Sequence, residues 1–171
     1  ITWQCYNVVI DNPAAFTAVW DDFMQTDIGK SMSANAIFQF DFASSEFSST
    51  HQVCWFSDNP ADLEENFIKF SNAKTMNTAG IWETWNEEVE QESAILGQSL
   101  IADPAGFDLQ FAVVYSINVK DPGTYAAAFT EMKAAAEASN GGQGTLELHE
   151  VLAGGEPGVT HEVIVRAPSM A

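Results

Sequence analysis

Hydrophobic residues recur with two different periods along this chain, and the period changes at proline. Thr2–Ile10, TWQCYNVVI, has the Val and Tyr enrichment of a strand. Asp11-Asn12-Pro13 then places a capping side chain before a proline, which predicts a helix start. Phe16, Val19, Trp20, Phe23 and Met24 follow at helical spacing and predict one buried face. AIFQFDFA and HQVCWFS read as two strands joined by the polar turn SSEFSS. Asn59-Pro60 opens a second helix, with Leu63, Phe67 and Phe70 on its inner face. The order is β-α-β-β-α.

The same order begins again at FAVVYSINV, and the wording repeats with it. FASSEFSSTHQV (Phe42 to Val53) aligns without a gap on LAGGEPGVTHEV (Leu152 to Val163). Ala43, Glu46, Thr50, His51 and Val53 match Ala153, Glu156, Thr160, His161 and Val163. Upstream, Pro13, Phe16 and Trp20 match Pro122, Tyr125 and Phe129, and downstream Pro60 matches Pro168. Four elements kept in order predict an internal duplication. The chain stops soon after Pro168, so the second copy is expected to be incomplete. Between the copies, Ile81, Trp82, Trp85 and Val89 stand at helical spacing and predict a helix reaching about Ser93, beyond which AILGQSLIA is open to either more helix or a short strand.

Charge narrows the partners. Twenty-four acidic residues against six basic ones give a net charge of −18, a field that repels nucleic acid and anionic membranes. A hydrophobic fraction of 46% excludes a disordered acidic tail. No apolar run approaches the roughly 20 residues that span a bilayer, so no membrane insertion is expected. The acids form no D-x-D-x-D-G loop. There is no C-x-x-C, G-x-S-x-G, Walker loop, G-x-G-x-x-G or H-E-x-x-H. No metal and no cofactor is therefore expected. The chain opens on Ile1 without Met, as after removal of a signal peptide or trimming. With the acidity, this predicts a periplasmic or extracellular protein.

Two β-α-β-β-α units in tandem, with the helix starts DNPAAF and DPGTYAAAF and the paired Thr-His strand starts, resemble the dimeric α/β-barrel superfamily, which includes antibiotic-biosynthesis-monooxygenase-like domains. The resemblance implies an α+β fold of two ferredoxin-like units, residues 1–105 and 106–171, packed as a pseudo-twofold α/β barrel with the second unit incomplete at the C-terminus. Members of that superfamily include cofactor-free oxygenases, haem enzymes and proteins without known activity. In ferredoxin-like sheets the first and third strands are neighbours. That brings Cys5 within pairing range of Cys54, as a disulfide in an oxidising compartment or as two buried thiols if the register slips by one.

The repeated phrase offers the candidate catalytic residues Glu46, His51, Glu156 and His161. Each Glu would orient its His and leave the second ring nitrogen for a substrate proton. The competing reading is turn formation by Thr and His. His149 in LELHEV could face His161 across the second hairpin, with Glu147 or Glu156 nearby, a set suited to a transition metal. Gln39 stands at the equivalent place in the first half and argues against it. Trp3, Asn7 and Trp55 are candidate ligand-binding residues, with Trp82 and Trp85 as further pocket or core aromatics. Two functions follow. One is a barrel that binds a small apolar or aromatic molecule, with cofactor-free oxygenase-like catalysis as an extension. The other is a non-catalytic extracellular protein that self-associates through apolar strand surface.

Overall fold

Both Asx-Pro helix starts form as their side chains dictate. Asn12 Oδ1 accepts from Ala15 N at 3.2 Å, and Asp121 Oδ1 accepts from Thr124 N at 3.1 Å. Pro13 and Pro122 fill first-turn positions where no backbone N–H is needed. The computed structural model describes residues 1–40, 48–75, 78–103, 106, 108–141 and 143–169. Its elements run β1 (Thr2–Ile10), α1 (Pro13–Gln25), α2 (Asp27–Lys30), β2 (Asn35–Gln39), β3 (His51–Ser57), α3 (Pro60–Thr75) and a 3-10 turn (Thr78–Gly80). They continue with α4 (Ile81–Glu88), β4 (Val89–Ile101), β5 (Phe111–Ile117), α5 (Pro122–Asn140), β6 (Thr145–Gly154) and β7 (His161–Ala167).

The strands form one sheet in the order β2-β3-β1-β4-β6-β7-β5. This overturns the expected pair of tandem ferredoxin-like β-α-β-β-α units packed as a pseudo-twofold barrel. The chain is α+β only in the looser sense of one seven-stranded sheet with helices. The cause is the segment after Trp85. The helix ends at Glu88 and not near Ser93, because Val89 is already extended at φ −124°, ψ 121°. From there the chain alternates as a strand to Ile101, with Ile95 and Gly97 buried. A strand that long is shared by both halves of the chain. The chain divides within it, into a first unit, Ile1–Ile95, and a second, Leu96–Ala171.

In the first unit β1 pairs antiparallel with β3, Cys5 opposite Cys54 and Val8 opposite His51. In the second, β5 pairs antiparallel with β7, Val114 opposite Ile164 and Ile117 opposite His161. The two registers coincide when the first strands are aligned at an offset of 109 and the third strands at 110.

Aromatic residues fill the first unit's core. Phe16 and Phe23 are fully buried, and Trp20 stacks on Trp55 with ring centroids 5.4 Å apart. Phe70 joins Trp55 at 5.8 Å and Trp82 at 4.8 Å, and Trp82 donates to Phe70 O at 3.2 Å. The second unit's core is smaller: Phe129 of α5 against Leu148 and Val163, with Ile117, Tyr125, Leu146 and Val165 around them. Among the described residues no helix is long and apolar enough to cross a membrane.

Candidate functional site

Strand β6 alternates Thr145, Glu147 and His149 with Leu146 and Leu148. Leu148 packs with Phe129 of α5 and with Val163, so the polar set lies on the sheet face away from that helix. Glu162 and Arg166 of β7 share this face, because Glu162 stands opposite His149 and Arg166 opposite Thr145. Such a face ordinarily meets water. Here it does not: Glu147 is 1% exposed, His149 and Arg166 5%, Thr145 and Glu162 7%.

A chain of hydrogen bonds links these groups. Arg166 Nε donates to Glu147 Oε1 at 3.0 Å, Glu147 Oε2 lies 3.1 Å from His149 Nε2, and His149 Nδ1 lies 3.1 Å from Ser99 Oγ. Burial is the largest influence on Glu147 and raises its pKa. The hydrogen bond from His149 and the charge of Arg166 outweigh it, leaving the carboxyl below its ordinary value. A carboxylate only accepts, so Nε2 of His149 donates to it. In the neutral ring Nδ1 is then an acceptor aimed at the Ser99 hydroxyl. Ser99 is half-buried and is the most accessible of the four. The array has the nucleophile–base–orienter logic in which a hydroxyl proton passes to imidazole and a carboxylate balances the charge.

Glu162 behaves in the opposite sense. Burial, and then the charge of Glu156, raise its pKa to about 7. Among the described residues its carboxyl has no hydrogen-bond partner. One face thus holds an ionised carboxylate, an imidazole, and a carboxyl that exchanges its proton near neutral pH. Divergent carboxyl environments of this kind separate acid from base roles. Gly106 closes the array from one side. A Cβ there would run into Glu147 Oε1 and Thr145 Oγ1.

The repeated Thr-His phrase does something else. Thr50 Oγ1 accepts from Ile10 N at 3.0 Å and lies 2.8 Å from His51 Nδ1. Thr160 Oγ1 accepts from Val119 N at 2.8 Å and lies 2.9 Å from His161 Nδ1. Thr50 N and Thr160 N donate to Val8 O and Ile117 O. In both halves the threonine hydroxyl replaces a backbone carbonyl where the first strand leaves the ladder. Among the described residues Nε2 of His161 is buried without a partner, so Glu156 does not orient it. Glu46 lies outside the described residues. Burial lowers the pKa of His51.

Other candidates separate. Trp55 faces the helix layer, whereas Trp3 and Asn7 point to the opposite face of the sheet. Asn7 accepts from Gln52 Nε2 at 3.0 Å and donates to Ser93 Oγ at 2.9 Å. Trp55 lines a shallow surface depression with Gln4, Tyr6, Leu63, Asn66, Phe67 and Phe70, with room for about one water molecule. Cys5 and Cys54 are joined by a disulfide across the β1–β3 pair, with Cα atoms 4.1 Å apart. His149 and His161 lie on opposite faces of the sheet, and no group of three metal-ligating side chains occurs among the described residues. The counterpart of His149 in the first half is Phe38, opposite Gln52, and not Gln39. Reading the sequence weighed Glu147 and His149 only as metal ligands and passed over Ser99, Glu162 and Arg166. The available signal was the every-second-residue spacing of Thr145, Glu147 and His149. Comparison with known proteins found no matching family model and no matching curated protein.

Proposed function

We propose that the second unit carries a small-molecule site working by general acid–base chemistry through its own side chains. The observation that carries this reading is the buried chain Arg166–Glu147–His149–Ser99, which ends on the most accessible of the four side chains. Ser99 would meet a polar group of the ligand, His149 would take the proton, and Glu147, fixed by Arg166, would balance the charge. Glu162 across the ladder would return a proton near neutral pH. The ligand class this favours is a small, mainly apolar or aromatic molecule with one hydroxyl or carbonyl. The strongly acidic chain disfavours anionic ligands. The Cys5–Cys54 bond supports an oxidising compartment, periplasmic or extracellular.

Nitrogen-15 spectra of His149 test the proton-transfer part. The reading requires a proton on Nε2 and an accepting Nδ1, a tautomer that Glu147→Leu should lose. A screen of small phenols, ketones and esters, followed by NMR, tests binding. Ligands that shift the Ser99 and His149 resonances and lose affinity in Ser99→Ala support the site. A ring protonated at both nitrogens across neutral pH leaves Ser99 without an acceptor and sinks the reading. So does a screen in which no compound touches these resonances.

A further inference from the structure

Strand β5 closes one end of the strand order, with β7 on one side and, among the described residues, no strand on the other. Its sequence, FAVVYSI, carries no charge, in a chain of net charge −18. Both of its faces are open at the strand's centre. Val113 and Tyr115 on one face are 51% and 54% exposed, and Val114 on the other is 46% exposed. Val114 corresponds in register to buried Cys5, so its sequence alone predicts a packed position that the structure does not provide. A long, uncharged, apolar edge with unpaired backbone groups is a template for another strand, and soluble proteins ordinarily guard such edges with charge or proline.

We infer that β5 is a self-pairing edge: two copies of the chain join antiparallel through β5, about a two-fold axis at Val114. Antiparallel pairing on that centre sets Val113 of one copy against Tyr115 of the other, Ala112 against Ser116, and Phe111 against Ile117. Each is a pair that strands accommodate, and no like charges meet. The flanks carry the stronger indication. Asp108 lies three residues before the strand and Lys120 three residues after it, so the same axis sets Asp108 of each copy toward Lys120 of the other. Both residues are exposed, and neither forms an ion pair within the chain among the described residues. Lys120 is one of only six basic residues, and it stands where a second acidic copy would need it. The interface is isologous and closes as a dimer. A single strand pair is small for a stable complex, so the dimer dissociates on dilution.

Sedimentation velocity over a concentration series tests this, at moderate salt where the mutual repulsion of two acidic chains is screened. The wild type is expected to pass from monomer to dimer as concentration rises. Val114→Lys abolishes the dimer, while Ile68→Lys on α3, an equally exposed apolar site, leaves it unchanged. Asp108→Lys and Lys120→Asp each weaken it several-fold, up to about tenfold. The double variant Asp108→Lys/Lys120→Asp restores it, because the two-fold exchanges both partners. Should Val114→Lys lose its fold, hydrogen exchange on the wild type gives the answer: β5 amides gain protection with concentration. A chain that stays monomeric at every concentration overturns the inference. A dimer indifferent to Val114→Lys overturns it as well, and so does a double variant no tighter than either single one.

Discussion

Replacing Arg166 by Met exposes the energetics of the buried array. Arg166 and Glu147 are 5% and 1% exposed, so neither charge has water to fall back on. Removing one partner of such a pair leaves the other buried and uncompensated, a cost of about 3–5 kcal/mol. Domains are stable by about 5–15 kcal/mol in total. At this chain length, roughly 2–4 °C of melting temperature accompanies each kcal/mol. Arg166→Met should therefore lower the melting temperature by about 6–20 °C. The double variant Glu147→Gln/Arg166→Met removes both charges and keeps an acceptor for His149 Nε2. It should recover at least about 2 kcal/mol of the loss, because neutralising both members of a buried pair is far cheaper than orphaning one. All five tryptophans lie in the first unit, so their fluorescence would miss the event. Far-UV circular dichroism or calorimetry reads it. A single variant that costs no more than a surface change of about 0.5 kcal/mol would refute the reasoning. A double variant as damaged as the single one would refute it too.

Glu162 makes stability depend on pH. Its folded pKa of about 7 lies above the ordinary value of 4.5, so between those values the folded state holds more protons than the unfolded one. Stability then falls as pH rises through that window and stays reduced above it, by on the order of 3 kcal/mol. Glu162→Gln should be more stable than wild type at pH 8 and equal to it at pH 4, and identical pH slopes in the two proteins would contradict this. Thr50→Val and Thr160→Val strip the acceptors of Ile10 N and Val119 N, and each should cost about 1–3 kcal/mol. Thr→Ser at either site should retain most of that stability in urea titrations, and a valine variant as stable as its serine counterpart would remove the threonines from the ladder's closure. Cys5→Ala/Cys54→Ala opens a loop of 49 residues and should cost about 4 kcal/mol in the chain-entropy picture. Thiol titration of the denatured, unreduced protein checks the bond first, and two reactive thiols per chain would rule it out.

What the sequence discloses and what it hides divide along physical lines. Local chemistry is legible: Asn12 and Asp121 cap helices because their side chains reach amides three residues on. The inward stripe Phe16, Trp20, Phe23 is also legible, because helical periodicity survives in any packing arrangement. Only the start of strand β4 is hidden, since AILGQSLIA is readable as a short strand. Its first residues, Val89 to Ser93, continue the spacing set by Trp82 and Trp85, and only tertiary pairing turns them into sheet. The candidate site is hidden for another reason. Alternation in β6 separates Thr145, Glu147 and His149 from Leu146 and Leu148, but it does not say which face is dry. A leucine face would be assigned to the core, and the polar face to water. The structure buries both, and the charged residues meet partners from β4 and β7 that no local pattern announces.

The two halves of the chain supply an internal control on that site. Their strand registers coincide, so positions can be compared pair by pair. Where the second unit has Glu147, His149, Glu162 and Arg166, the first has Ala36, Phe38, Gln52 and Phe56. The same ladder thus folds with small, aromatic and amide side chains at these places. On the same face it holds the Cys5–Cys54 bond and the Gln52–Asn7–Ser93 hydrogen bonds. Strand pairing does not require a buried ion pair there. A buried ion pair is also seldom the most stable filling of such a space, since apolar residues of similar volume often do as well or better. Four polar residues thus gather at positions whose counterparts fold without them, which favours the proposed site over a purely structural role: of the linked side chains Ser99 is the most accessible, and its Oγ lies 3.1 Å from His149 Nδ1.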